Sequence, residues 1–199
     1  MAARTPIEGI PVDIANPEVR RGIRTVLTTI SRFPRDWGRI RRRVREIRYF
    51  APEDDQPDTL GQWVVDEEEL RRLSHQQSAP GTWGRPAGQI PAYGRIMLTR
   101  RPIRHTEHLV AIVAHECGHA ATRERDFQKR DGYSGEWASE LCADFYAFKW
   151  GFEAELRKAF TRRPLNHYCG FPGETLEVGH GDDVQRFRVD KRFYLRELR

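Results

Sequence analysis

His115, Glu116 and His119 stand in the run Ala114-His115-Glu116-Cys117-Gly118-His119-Ala120, and these types at this spacing suit a metal-binding helix. In an α-helix, residues four apart lie one turn above the other on the same face. His115 and His119 can therefore turn both imidazoles toward one ion. Glu116 follows His115 by about 100° around the axis, at the edge of that face, where its carboxylate can reach a water on the metal. The chemistry open to such a set is metal-assisted hydrolysis. The plainer alternative is an amphipathic helix that happens to carry two surface histidines.

A second segment, residues 134–151, supplies carboxylates. Trp137, Leu141, Phe145 and Phe148 fall at helical spacing, with Ser134 as N-cap and Gly151 as C-terminal stop. Glu140 and Asp144 share a face of this helix, and carboxylates beside an apolar stripe need a reason such as metal ligation and its support. Glu136 also lies one turn from Glu140, so spacing alone permits either glutamate as ligand. Glu140 is favoured because it is in mid-helix with Asp144 one turn on, whereas the helix dipole explains an acidic residue in the first turn. The expected set is His115, His119 and Glu140 on Zn2+, with a fourth position left for water. That is the pattern of catalytic zinc, since structural zinc sites are closed and cysteine-rich. Cys117 and Cys142 each lie two residues from a ligand, about 200° round the helix, and are expected to be buried packing residues. His108 is two turns from His115, too far to share an ion, and is expected to line a cleft or face solvent.

H-E-x-x-H followed by E-x-x-A-D is the signature of gluzincin peptidases. His115-Glu116-Cys117-Gly118-His119 and Glu140-Leu141-Cys142-Ala143-Asp144 fit it without a gap. The chain resembles that group over residues 94–151, and within it is similar to ImmA/IrrE-type metallopeptidases and to a membrane-free HtpX-like peptidase. ImmA/IrrE-type proteins often carry Asn where this chain has Asp144, which tilts the motif toward the HtpX-like pattern. The resemblance implies an α+β, zincin-like metallopeptidase domain with a small sheet packed on the zinc-binding helices. It implies a zinc-dependent endopeptidase acting on a protein or peptide, a regulatory protein being one candidate. Glu116 would be the general base and Asp144 the partner that orients a ligand histidine. Such peptidases usually add a Tyr or His at the oxyanion, and Tyr168, His167 and His180 are the open candidates. The alternative is a zincin-fold regulatory protein that contacts protein or nucleic acid without turnover. The intact Glu116 speaks against it.

The elements that must position these residues are legible in part. Asn16-Pro17 reads as a helix start, and Val19, Ile23, Val26, Leu27 and Ile30 mark one face of a helix to about Ser31. Pro34 restarts the chain, with Trp37, Ile40, Val44 and Ile47 again at helical spacing. Residues 44–50 read equally well as a strand with Arg45, Ile47 and Tyr49 on one face. Residues 53–58 are a turn-rich loop, 61–65 strand-like, 67–73 a helical turn or two, and 74–91 a long loop. Residues 94–99 alternate like a strand, expected at the sheet edge above the cleft, where an extended peptide can pair with it. The metal helix should begin near Thr106 with Leu109, Ile112 and Val113 facing inward. A further helix is expected over 152–160, and strands near 175–178 and 184–189.

With 199 residues the chain has the length for one domain, its core about residues 15–160 and a C-terminal extension about 161–199. Hydrophobic content of 38% and mean hydropathy of −0.73 describe a polar chain, and no stretch approaches the roughly 20 apolar residues of a membrane span. No signal-peptide core stands at the N-terminus, and three cysteines cannot all pair, so a reducing cytoplasm is expected. The net charge is +5, and Arg35, Arg39, Arg41, Arg42, Arg43, Arg45 and Arg48 crowd one segment. Such a patch can meet nucleic acid or an acidic protein, but Asp36 and Glu46 interrupt it and the usual role is a solvated face.

Overall fold

Asn16 opens the first long helix as its composition requires: its Oδ1 accepts from the amides of Glu18 and Val19 at 2.9 and 3.2 Å, and Pro17 takes the first helical position. A computed structural model describes residues 5–55, 60–66, 93–101, 106–122, 136–162, 175–178 and 185–188 of the chain, with backbone alone at 136–141, 160–162 and the last two strands. Helix α1 (Pro17–Ile30) buries Ile23, Val26, Leu27 and Ile30, the face its periodicity marked. Pro34 starts α2 (Pro34–Arg43), which runs directly into strand β2 (Val44–Tyr49). The short β1 (Val12–Asp13) precedes α1, and β3 (Gly61–Val65) and β4 (Gly94–Leu98) follow a 3₁₀ turn at Pro52–Asp54. Three more helices are α3 (Thr106–Ala121), α4 (Glu136–Lys149) and α5 (Glu153–Arg162). Strands β5 (Thr175–Val178) and β6 (Gln185–Arg188) form an antiparallel pair.

The architecture is α+β. Four strands lie in the order β1-β2-β4-β3, with β1, β2 and β4 parallel and β3 antiparallel to β4. One sheet face carries Val12, Ile47, Ile96 and Leu98 into a core shared with α1, α3 and α4. Helix α3 is apolar on nearly every side, and is accordingly buried on nearly every side. The described residues hold no helix long and apolar enough to cross a membrane.

Three expectations are corrected. The strand at 94–98 is interior, and β3 is the edge, because β3 returns antiparallel along its outer side. The simple alternation read into residues 44–50 is broken by a bulge: Val44 faces Gly94 and Glu46 faces Arg95, so Arg45 is an extra residue, exposed, while Glu46 and Ile47 are both buried. Much of the basic segment is not a free patch. Arg95 meets Glu46 at 2.9 Å and Asp66 at 2.6 Å, Arg45 meets Asp66 at 3.1 Å, and Arg48 lies 3.7 Å from Glu46. The outer sheet face is thus a network of three guanidiniums on two buried carboxylates. Arg39 and Arg43 are likewise engaged, as described below, whereas Arg35, Arg41 and Arg42 are exposed. The expectations for residues 67–73 and 74–91 lie outside the described residues.

Candidate metal centre

His115 and His119 of α3 are not surface decorations. His115 is 7% exposed, and its Nδ1 lies 2.7 Å from Oδ1 of Asp144 on α4, itself 2% exposed. A carboxylate at that distance accepts a hydrogen bond, so Nδ1 carries the proton and Nε2 presents a lone pair. One turn on, His119 brings its own Nε2 to within 3.0 Å of that lone pair, with the two rings edge to face at 88°. Two nitrogens on one tetrahedral zinc, at about 2.0–2.1 Å each, stand about 3.4 Å apart, so the observed separation fits a shared ion to within a few tenths of an ångström. The same distance suits an N–H···N hydrogen bond with His119 as donor. With the His119 proton on Nδ1 instead, both Nε2 lone pairs would face a shared ion.

Glycines set how closely the neighbours approach. A Cβ at Gly118 would overlap the backbone carbonyl of Ala143, so α3 and α4 meet here in direct backbone contact. That contact brings Asp144, the next residue, to His115. On the opposite flank, a Cβ at Gly61 of β3 would strike Ile112 and lie 3.3 and 3.4 Å from Cγ and Oε1 of Glu116. Glu116, 6% exposed, therefore packs against the start of the edge strand. Neither glycine contact was read from the sequence. The one available signal was the pairing of two small residues, Gly118 and Ala143, inside two chemically loaded motifs.

Glu140 lies in α4 one turn before Asp144, and Glu136 opens the same helix; both side chains lie outside the described residues. So do the cap at Ser134 and the oxyanion candidates Tyr168, His167 and His180. Among the described residues no group of three or more His, Cys, Asp or Glu stands as a complete ion cage. Of the three expected ligands, His115 and His119 are brought together, and Asp144 stands against His115. Asp144 keeps Oδ2 buried without a hydrogen-bond partner among the described residues.

Cys117 and Cys142 are buried, as expected. Burial first, and then the neighbouring Glu116 charge, push the Cys117 thiol far above its usual range, so it is an inert packing group. His108 corrects the sequence reading in part: at 8% exposure it is buried rather than facing solvent.

Helix α2 fastens the far ends of the metal helix and its partner. Arg43 donates to the carbonyls of Ala120 and Thr122, and Arg39 to Ala121 at 3.3 Å and to the Tyr146 hydroxyl at 3.1 Å. These cations satisfy the C-terminal carbonyls of α3 and complement its dipole just beyond His119. Asp36, 2% exposed, accepts from Trp150 Nε1 at 3.1 Å and pairs with Lys149 at 2.8 Å at the end of α4. Gly151, at φ +95°, then closes α4: its amide bonds Phe148 O and that of Phe152 bonds Ala147 O.

Compared with models of protein families, with curated proteins and with solved structures, the chain matches none.

Proposed function

We propose that the chain is a zinc-dependent endopeptidase of the gluzincin type, with a zincin-like domain, acting on a protein or peptide. The observation that carries this reading is the meeting of the His115 and His119 Nε2 atoms at 3.0 Å, with the proton of His115 held on its far side by buried Asp144. His115, His119 and Glu140 would hold the ion. Bound zinc supplies a Lewis acid that polarises the scissile carbonyl. Glu116 removes the proton from the attacking water and returns it to the leaving amine. Its placement against the edge strand sets that carboxylate where an extended peptide would lie. Strand β3 pairs only on its β4 side among the described residues, leaving main-chain groups for such a peptide.

The test joins metal content to turnover. The purified protein should hold about one zinc, and the double substitution His115→Ala, His119→Ala should lose it. Glu116→Gln should keep the zinc and lose at least about a hundredfold in cleavage of a protein substrate. Stoichiometric zinc in the double variant would overturn the site. A cellular phenotype unchanged by Glu116→Gln would instead favour a protein that binds without turnover.

A further inference from the structure

At the carboxyl ends of parallel strands β1 and β2 the molecule holds a cavity of about 720 Å3, well within the size of small-molecule sites. Three arginines line it: Arg20 from α1, Arg48 from β2 and Arg100 from just beyond β4. Among the described residues one carboxylate, the exposed Asp13, lines it with them. Clustered like charges cost free energy unless something opposite in sign meets them.

How each arginine is held separates this cluster from the rest of the chain. Arg20 donates from NH1 to the carbonyls of Val12 and Ile14, at 3.0 and 3.1 Å, and from NH2 to that of Thr5 at 2.8 Å. Carbonyl oxygens fix the guanidinium in place and leave its full charge uncancelled. Arg100 is held by a carbonyl too: Nε donates to that of Phe50 at 2.9 Å and the guanidinium stands 5.5 Å from the centre of the Tyr49 ring, while its charge also acts on the nearby Asp55 carboxylate. Arg48 has a carboxylate near, Glu46, but at 3.7 Å. Contrast Arg95 and Arg45 on the outer sheet face, which sit 2.6–3.1 Å from Asp66 and Glu46. There the charges are spent on each other, with Arg48 at the margin of that network, whereas Arg20 and Arg100 are oriented chiefly by neutral acceptors. Tyr49 adds an O–H donor, since burial raises its pKa despite the opposing pull of Arg100. The amino end of α1 adjoins through Ala15, and contributes its dipole rather than donors because Asn16 already takes the first amides.

We infer that this cavity is a binding site for a phosphate-bearing small molecule, held by Arg20, Arg48 and Arg100. Guanidinium forks match phosphate oxygens bidentately, and a multiply charged anion complements three arginines that meet fewer carboxylates among the described residues. The site is independent of the metal centre and stands whether or not the chain hydrolyses peptides.

Titration calorimetry with inorganic pyrophosphate and, separately, with adenosine 5′-diphosphate tests it on the full-length protein. Saturable one-to-one binding below about 1 mM is expected for at least one probe. Arg100→Gln and Arg48→Gln should each weaken it by about tenfold or more, while Arg42→Gln, an exposed arginine outside the cavity, should leave it unchanged. Tighter binding of the nucleotide would support the site with a nucleotide as its source. Equal or tighter binding of pyrophosphate would support it with phosphate alone as the determinant. No saturable binding of either probe, or equal weakening by Arg42→Gln, would overturn the assignment. A thermal melt of each variant shows that it is folded before it is titrated, and the two cavity variants serve as checks on one another.

Discussion

A carboxylate 2.7 Å from Nδ1 of His115 fixes which nitrogen holds the proton, and so which face of the ring can meet an ion. Removing it should act through His115 alone. Asp144→Ala is expected to lower zinc affinity by about ten- to a hundredfold, measured by competition with a chelator. Asp144→Asn should lower it less, because an amide oxygen still accepts the Nδ1 proton without the charge. Equal affinity in wild type and Asp144→Ala would mean that the ring is held by something else. At the neighbouring turn, Glu140→Ala should cost zinc and cleavage together and Glu136→Ala little of either. The reverse result would move the third ligand one turn earlier. The histidine spacing and the Asp144 partnership were legible because helical geometry converts sequence distance into spatial distance. The approach at Gly118 was not, since it depends on which residue of another helix lies opposite.

Among the elements, α1 was legible from its cap and period, both local properties. Strand β2 was legible only as an equal alternative to helix, and its bulge at Arg45 was not, because the bulge is set by the register against β4, roughly fifty residues away. The edge position of β3 is non-local in the same way. Two predictions belong at this scale. Gly118→Ala forces a methyl against the Ala143 backbone and should cost about 1–3 kcal/mol, read as a lower urea midpoint, with weaker zinc binding as the helices part. An unchanged midpoint would mean the helices part freely. The second concerns the junction of β2 and β4, where Asp55 accepts from Thr99 Oγ1 at 2.8 Å and the Arg100 amide at 2.9 Å. Burial works to raise its pKa, but these bonds and the Arg101 and Arg100 charges outweigh it, and the pKa is lowered. A folded pKa below the unfolded value of about 3.9 stabilises the protein above about pH 4, and that contribution disappears as pH falls further. Asp55→Asn should therefore shrink the difference in urea midpoint between pH 6 and pH 3. A difference of wild-type size would assign the acid sensitivity to other carboxylates.

At the scale of the molecule, α2 is a clamp across the ends of α3 and α4, the two helices that carry the candidate metal site. Its basic residues read in sequence as a solvated face, with contact to nucleic acid or an acidic protein the lesser alternative, and Arg39 and Arg43 instead serve the interior, because unpaired carbonyls at a helix end need donors. Asp36 is the clamp's acidic member, and its partners Lys149 and Arg39 are 29% and 20% exposed. Once freed, those cations can turn to water. Asp36→Ala should therefore cost about 1.5–3 kcal/mol, the range for hydrogen bonds to charged groups, rather than the 3–5 kcal/mol of a fully buried pair. Urea unfolding at unchanged slope measures it, and a loss beyond that range would show the cations trapped.

Gly61 lets β3 approach α3 on one side and Gly118, within α3, lets α4 approach on another, each where a methyl group would collide. The consequence is informational. In a saturation-mutagenesis screen for activity, positions 61 and 118 should tolerate as few replacements as 115 and 116, although neither glycine has a functional group to offer a substrate. A screen for abundance would tell them apart. Variants at the glycines should lose protein level along with activity, and Glu116→Gln should lose activity alone.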